Sequence, residues 1–224
     1  MDLQALALTA RLALVTTVIL MVIAVPLAAW LTYSRRRWTV AVEALVALPL
    51  VLPPTVLGYY LLVAMGSRSP VGRWWESATG SPLAFTFTGL VVASVLYSLP
   101  FAVQPMMAGF GGVDRRLIEA AFVLGRSWPG TVARVILPLS RAALATAVVL
   151  TFAHTVGEFG VVLMVGGNIP GETRTASIAV YDAVQSFDDA TAARMSLLLL
   201  VFSAIILIAT YALRRSPLSV WPRT

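Results

Sequence analysis

The sequence has no cysteine and no lysine, a single histidine (His154), and few charges of either sign, 12% of its 224 residues. Without cysteine there is no disulfide, thiol nucleophile, iron–sulfur cluster or Cys-based zinc site. Without lysine there is no P-loop, Schiff base or kinase-type phosphate clamp, so the chain does not hydrolyse ATP by itself. No nucleophile, base and metal-ligand constellation can be assembled from what remains. No catalytic residue, metal or cofactor is therefore expected on this chain. What is present in excess is apolar: 59% of the residues are hydrophobic and the mean hydropathy is +0.88, the composition of an integral membrane protein. The net charge of +6 is carried by arginines. These flank hydrophobic runs, where orientation in a bilayer explains them better than binding to nucleic acid.

A helix needs about 20 apolar residues to cross the hydrocarbon core. Five segments are long enough, roughly 6–33, 40–65, 87–110, 141–165 and 194–213, which predicts an all-α polytopic bundle in one domain over 6–213. The apolar run of the first segment exceeds a signal-peptide core, and Arg35, Arg36 and Arg37 follow it rather than precede it, so it reads as an uncleaved span. With the N-terminus outside, the inner side collects Arg35, Arg36, Arg37, Arg115, Arg116, Arg126, Arg134, Arg141, Arg214, Arg215 and Arg223. Arg11, Arg68, Arg73, Arg174 and Arg194 remain outside with most of the acids. The positive-inside rule selects this arrangement, N-out and C-in, with a cytoplasmic loop at about 111–140. The external segment 66–86 carries Trp74 and Trp75 as an interfacial anchor, and a short surface helix is expected around Ile178, Tyr181 and Val184.

Residues 119–138, EAAFVLGRSWPGTVARVILP, interrupt the oily pattern. A helix from Asp114 should end at Gly125, a natural C′ residue. A second should start with Ser127 as N-cap and Pro129 in the first turn. Ala120 and Ala121 leave room for a close backbone, and Trp128 and Val132 offer an apolar knob for a soluble partner. The alternative is an amphipathic helix lying on the membrane, with Arg126 and Arg134 facing anionic lipid.

Glu119-Ala120-Ala121, three residues, Gly125, nine residues, Val135, one residue and Leu137-Pro138 together resemble the EAA loop, E-A-A-x₃-G-x₉-I-x-L-P, of permease subunits in binding-protein-dependent ABC importers. Val135 stands where the pattern has Ile. The stretches 48–61, LPLVLPPTVLGYYL, and 157–175, GEFGVVLMVGGNIPGETRT, are similar to segments of molybdate importer permeases, whose relatives carry sulfate and tungstate. The resemblance spans about 6–213 and implies a type I permease fold in a bacterial cytoplasmic membrane, with 119–138 as coupling helix. Glu119, Ala120, Ala121, Gly125, Arg126, Trp128, Arg134, Leu137 and Pro138 would then contact the ATPase. It also implies the partners: two ATPase subunits holding ATP and Mg, and an external molybdate-binding protein. A second copy of the chain is expected because five spans seldom enclose a path, and membrane lipid surrounds the whole. The rival from another class is an ion-gradient-driven secondary carrier.

The expected path and gate residues are Pro53, Pro54, Gly58, His154, Gly157, Glu158 and Gly160. Pro49, Pro53 and Pro54 must kink or break the second span, either to line the path or as a static bend. Glu158 is an ionisable residue at membrane depth, with its i, i+4 neighbour His154 or an Arg from another helix as its expected partner. It reads as a structural or gating carboxylate, as the mark of a helix end near the interface, or as a substrate contact, although a carboxylate repels a dianion. His154 stands where the resembled pattern usually has Arg. Gly157 and Gly160 suit close packing or a hinge. Asn168, Pro170, Gly171, Glu172 and Arg174 are expected either to meet the external binding protein, with Arg174 attracting an anion, or to form an ordinary solvated turn.

Overall fold

The computed structural model describes residues 2–215, and these are helical wherever they are regular. Helix α1 (Leu3–Tyr33) opens with the Asp2 carboxylate accepting from the Ala5 amide at 2.9 Å and closes just before the arginine run. Helices α2 (Thr39–Val51) and α3 (Pro54–Met65) are the two halves of the second apolar segment, bent by 114° across Leu52 and Pro53. After a short turn, α4 (Pro70–Thr79) carries an exposed Trp74 and a Trp75 tucked against the cluster of Met65 and Leu83. Helix α5 (Phe87–Gly111) returns through the bundle.

The loop that follows contains α6 (Arg115–Val123), α7 (Trp128–Thr131), a π-helical turn (Val132–Ile136) and α8 (Leu137–Leu139). The chain then bends by 83° into α9 (Arg141–Gly157). Helix α10 (Gly160–Gly166) is separate from α9: the expected fourth span, 141–165, breaks at Glu158 and Phe159. Helix α11 (Ala176–Gln185) packs on α12 and on α1, and α12 (Asp189–Arg215) closes the described chain. Arg223 falls outside the described residues. By length and composition α1, α5 and α12 can each cross a membrane, and the bent pairs bring the number to five if each is one span.

Helices α1, α5 and α9 pack on one another as the centre of the bundle. Lipid is as apolar as leucine, so helices gain by close packing rather than by escaping water, and small residues at crossings serve that end. On α1 the inward stripe is Leu20, Ala24 and Ala28, fully buried, against Met106 and Phe110 of α5 and Ile136 of the loop. The second close contact joins the two broken segments. A Cβ on Gly160 would lie 2.8 Å from the Pro54 Cβ, and one on Gly58 would lie 2.8 Å from the Met164 Cβ, so α3 and α10 touch backbone to side chain only because both are glycine.

Candidate functional site

The segment 114–140 builds as its sequence directs. Asp114 caps α6 by accepting from the Arg116 amide at 2.9 Å. Gly125 adopts φ +76°, and its amide and that of Arg126 donate to the carbonyls of Phe122 and Ala121 at 2.9 and 3.0 Å, which satisfies the end of α6. Ser127 then caps α7, with Pro129 in its first turn. Ile118, Ala121, Thr131 and Ile136 are buried and anchor the loop to the bundle. Pro138 does not end the helical path, which runs on to Leu139 and turns at Ser140, whose hydroxyl donates to the Gly109 carbonyl at 3.2 Å.

The projecting apolar surface is not the one expected. Val132 turns inward and packs on the core. Trp128, 37% exposed, meets Tyr33 edge-to-face at 5.4 Å and stacks on Phe122 at 6.2 Å. What stands out into solvent is the turn itself, with Val123 87% and Leu124 81% exposed, beside the exposed Arg126. Sequence reasoning passed over both, because an apolar residue at the end of a short amphipathic helix reads as its buried face. Ala120 and Glu119 are exposed as well, and Arg134 faces outward one turn along.

A second constellation lies where the two broken segments meet. A cavity of about 500 Å³ is lined by Pro54 and Thr55 of α3, Tyr97 of α5, and His154, Gly157, Glu158 and Gly160. The expected pairing of His154 with Glu158 is absent, because α9 ends at Gly157 and Glu158, with ψ 132°, leaves the helical path. His154 instead places Nδ1 2.9 Å from the Ser98 hydroxyl and stacks on Phe101 at 3.9 Å. Ser98 is 3.1 Å from the Thr155 hydroxyl, which donates to the Thr151 carbonyl at 2.9 Å. The chain of donors can therefore run from the imidazole to the backbone of α9. Glu158 is 4% exposed, and the donor facing its carboxyl is the Ser94 hydroxyl, set too far or too obliquely for a close hydrogen bond. Its carbonyl accepts from Ser177 of α11 at 2.5 Å, which pins the break to that helix. A buried carboxyl with only a hydroxyl nearby to solvate it is a costly arrangement, of the kind that persists at working sites.

Near the junction of α11 with the start of α1, Pro170, Gly171 and Glu172 form an exposed tip. Arg174 and Asn168 do not project with it. The Arg174 guanidinium donates to Asn168 Oδ1 at 2.6 Å, lies 3.4 Å from Asp182 and 4.0 Å from Asp2, and its side chain is only 24% exposed. Asn168 donates in turn to Asp182 at 3.2 Å. With two carboxylates facing it, Arg174 is a strut joining α1, α11 and the loop, its charge already engaged. Among the described residues no group of His, Asp and Glu is arranged to hold a metal ion.

The family model described as "binding-protein-dependent transport system inner membrane component" matches residues 8–217. Among curated proteins, the chain is 49% identical over 214 residues to the molybdenum transport system permease protein ModB of Azotobacter vinelandii, covering 96% of this chain and 95% of that one. It is 33% identical to the putative molybdenum transport system permease protein YvgM of Bacillus subtilis, over 88% of this chain and 87% of the relative. The Escherichia coli K12 ModB is 36% identical over 77% and 76% of the two chains. Among solved structures, the inward-facing MetNI methionine ABC transporter superposes with TM-score 0.74 at 17% identity, over 96% of this chain and 95% of that one. A bacterial alginate ABC transporter in complex with its alginate-bound periplasmic protein superposes with TM-score 0.75 at 16% identity, over 95% and 78%. At those identities the likeness is one of fold.

Proposed function

The chain belongs to the family of binding-protein-dependent transport system inner membrane components, and from that premise we propose that it is the permease subunit of an ATP-driven molybdate importer. It is a transporter subunit and not an enzyme, with ATP hydrolysis on a separate chain. The observation that carries the substrate is the near end-to-end likeness to a molybdenum permease at 49% identity. The working assembly is two copies of this chain, two ATPase subunits that hold ATP and Mg, and an external molybdate-binding protein, set in the lipid of the bacterial inner membrane. The N-terminus is outside and the C-terminus cytoplasmic, as the arginine distribution favours.

Within that assembly the turn at Val123 to Arg126 enters the ATPase, backed by Glu119, Ala120, Ala121, Trp128, Arg134, Leu137 and Pro138. ATP closes the ATPase pair, the loop moves with it, and the 83° corner at Ser140 passes the motion into α9. The cavity where Pro54 of one broken segment meets His154, Gly157, Glu158 and Gly160 of the other, with Pro53 at the bend and Gly58 at the crossing beside it, then opens to one side of the membrane or the other. The exposed tip of Pro170, Gly171 and Glu172 receives the binding protein. The secondary-carrier reading needs an intramembrane relay, and its candidate pair is held apart, with His154 engaged by Ser98.

Molybdate, tungstate and sulfate share charge and shape, so the decisive experiment is competitive. Uptake of labelled molybdate is measured in a strain lacking its own permease and complemented with this chain and its ATPase. Excess tungstate should compete strongly and excess sulfate weakly. Competition by sulfate alone would reassign the substrate, and uptake without the ATPase would return the carrier reading.

A further inference from the structure

Beside the exposed turn lies a recess, lined in part by Glu119 and Trp128, which also back that turn. Helix α6 turns the stripe Arg115, Ile118, Glu119 and Phe122 toward the end of α1, a spacing that puts all four on one helix face. With Tyr33, Arg35 and Trp128 they enclose about 220 Å³. A second recess of about 280 Å³ adjoins it through Tyr33 and Trp128 and runs back along α1 past Trp30 and Ala29. Trp30 is itself backed by Trp38 at 4.8 Å. Among the described residues, neither Arg35 nor Arg115 is found in an ion pair.

The upper recess is basic and open, and the lower one is aromatic and apolar. That gradient matches the boundary between headgroups and acyl chains, where interfacial aromatics and arginines concentrate. A small soluble anion would have no use for the lower half. Glu119 adds a selection: it disfavours a bare dianion at the rim but accepts hydrogen bonds from hydroxyl groups. We propose that the double recess binds an anionic phospholipid of the cytoplasmic leaflet with a hydroxyl-bearing headgroup, its phosphate between Arg35 and Arg115 and the start of its chains against Trp30 and Ala29. The inference rests on the proposed orientation, which puts this end of α1 in the cytoplasmic leaflet. The bound lipid bridges α1 and α6 and so fixes the base from which the coupling turn projects.

The permease–ATPase complex, purified in detergent, is titrated with phosphatidylglycerol and read by native mass spectrometry. Each guanidinium removed should weaken binding about fivefold, so Arg35→Gln with Arg115→Gln should weaken it roughly 25-fold. Arg35→Lys with Arg115→Lys should recover most of the loss. Arg36→Gln with Arg116→Gln removes the same charge from the same run and the same helix but outside the recess, and should leave binding within about twofold. Equal losses in the two Gln pairs would show a diffuse basic surface and overturn the site, as would no loss in either. Displacement of the lipid by millimolar glycerol 3-phosphate would also overturn it, because the ligand would then be a soluble phosphate. Co-purification of the ATPase with each variant reports separately on the permease assignment, whose failure would show as loss of the ATPase from the wild-type sample.

Discussion

The docking turn invites the sharpest test. Val123→Ala and Leu124→Ala together remove five carbon-bearing groups, two from valine and three from leucine. At about 0.8 kcal/mol for each group buried, full burial in a partner would be worth about 4 kcal/mol. Val123 is 87% and Leu124 81% exposed in the free chain, so nearly all of that area is available to be buried, and about 3 kcal/mol is a reasonable loss. At 1.4 kcal/mol per decade this is roughly 150-fold in the affinity of each docking site. The measurement is ATPase binding to permease in nanodiscs by interferometry, with thermal unfolding of the permease alone as the control for folding. The fold should be untouched, since neither side chain contributes to the core. Trp128→Ala should behave differently: its ring packs on Tyr33 and Phe122, so the loss appears mainly as weaker coupling of ATP hydrolysis to transport, with a smaller fall in affinity. An affinity unchanged by the double alanine variant in a normally folded permease would refute the assignment of the turn as the contact.

Glu158→Gln should leave the complex assembled but disturb transport or its coupling to ATP, because it replaces a buried carboxyl at the break between α9 and α10; wild-type uptake in reconstituted vesicles would contradict this. Gly160→Leu forces side-chain atoms into Pro54, whose Cβ is already 2.8 Å from a Cβ at that position. Overpacking costs about 1–3 kcal/mol, and a thermal midpoint equal to wild type would show that the crossing is looser than described. Arg174→Ala breaks a strut whose ion pairs are partly solvated. The expected cost is about 1 kcal/mol or less, a fall of roughly 2–4 °C for a chain of this size, shrinking in high salt; a large loss of external binding-protein affinity at unchanged stability would instead make Arg174 a contact residue.

Local chemistry was legible where the chain is punctuated. Gly125, Ser127 and Pro129 specify the turn between α6 and α7 without help from the rest of the molecule, and Pro53 with Pro54 specifies a break. The angle of that break is another matter, since 114° is compatible with many packings and is set by α10 lying against α3. The break at Glu158 was hidden because α10 is as apolar as the helix it follows, so hydropathy merges the two into one span. The i, i+4 pairing of His154 with Glu158 failed with it, as helix periodicity has no meaning past the end of a helix. Arg174 illustrates a third limit: one of its carboxylates, Asp2, comes from the opposite end of the chain, and no local pattern announces that meeting.

The crossing of α3 and α10 also constrains how this protein can vary. Positions 54 and 160, and positions 58 and 164, lie too close for either member of a pair to gain bulk unless the other gives way. Across relatives these should behave as size-coupled pairs, in which a larger residue on one broken segment appears only with a smaller one facing it. The two segments, far apart in sequence, then drift as a single unit.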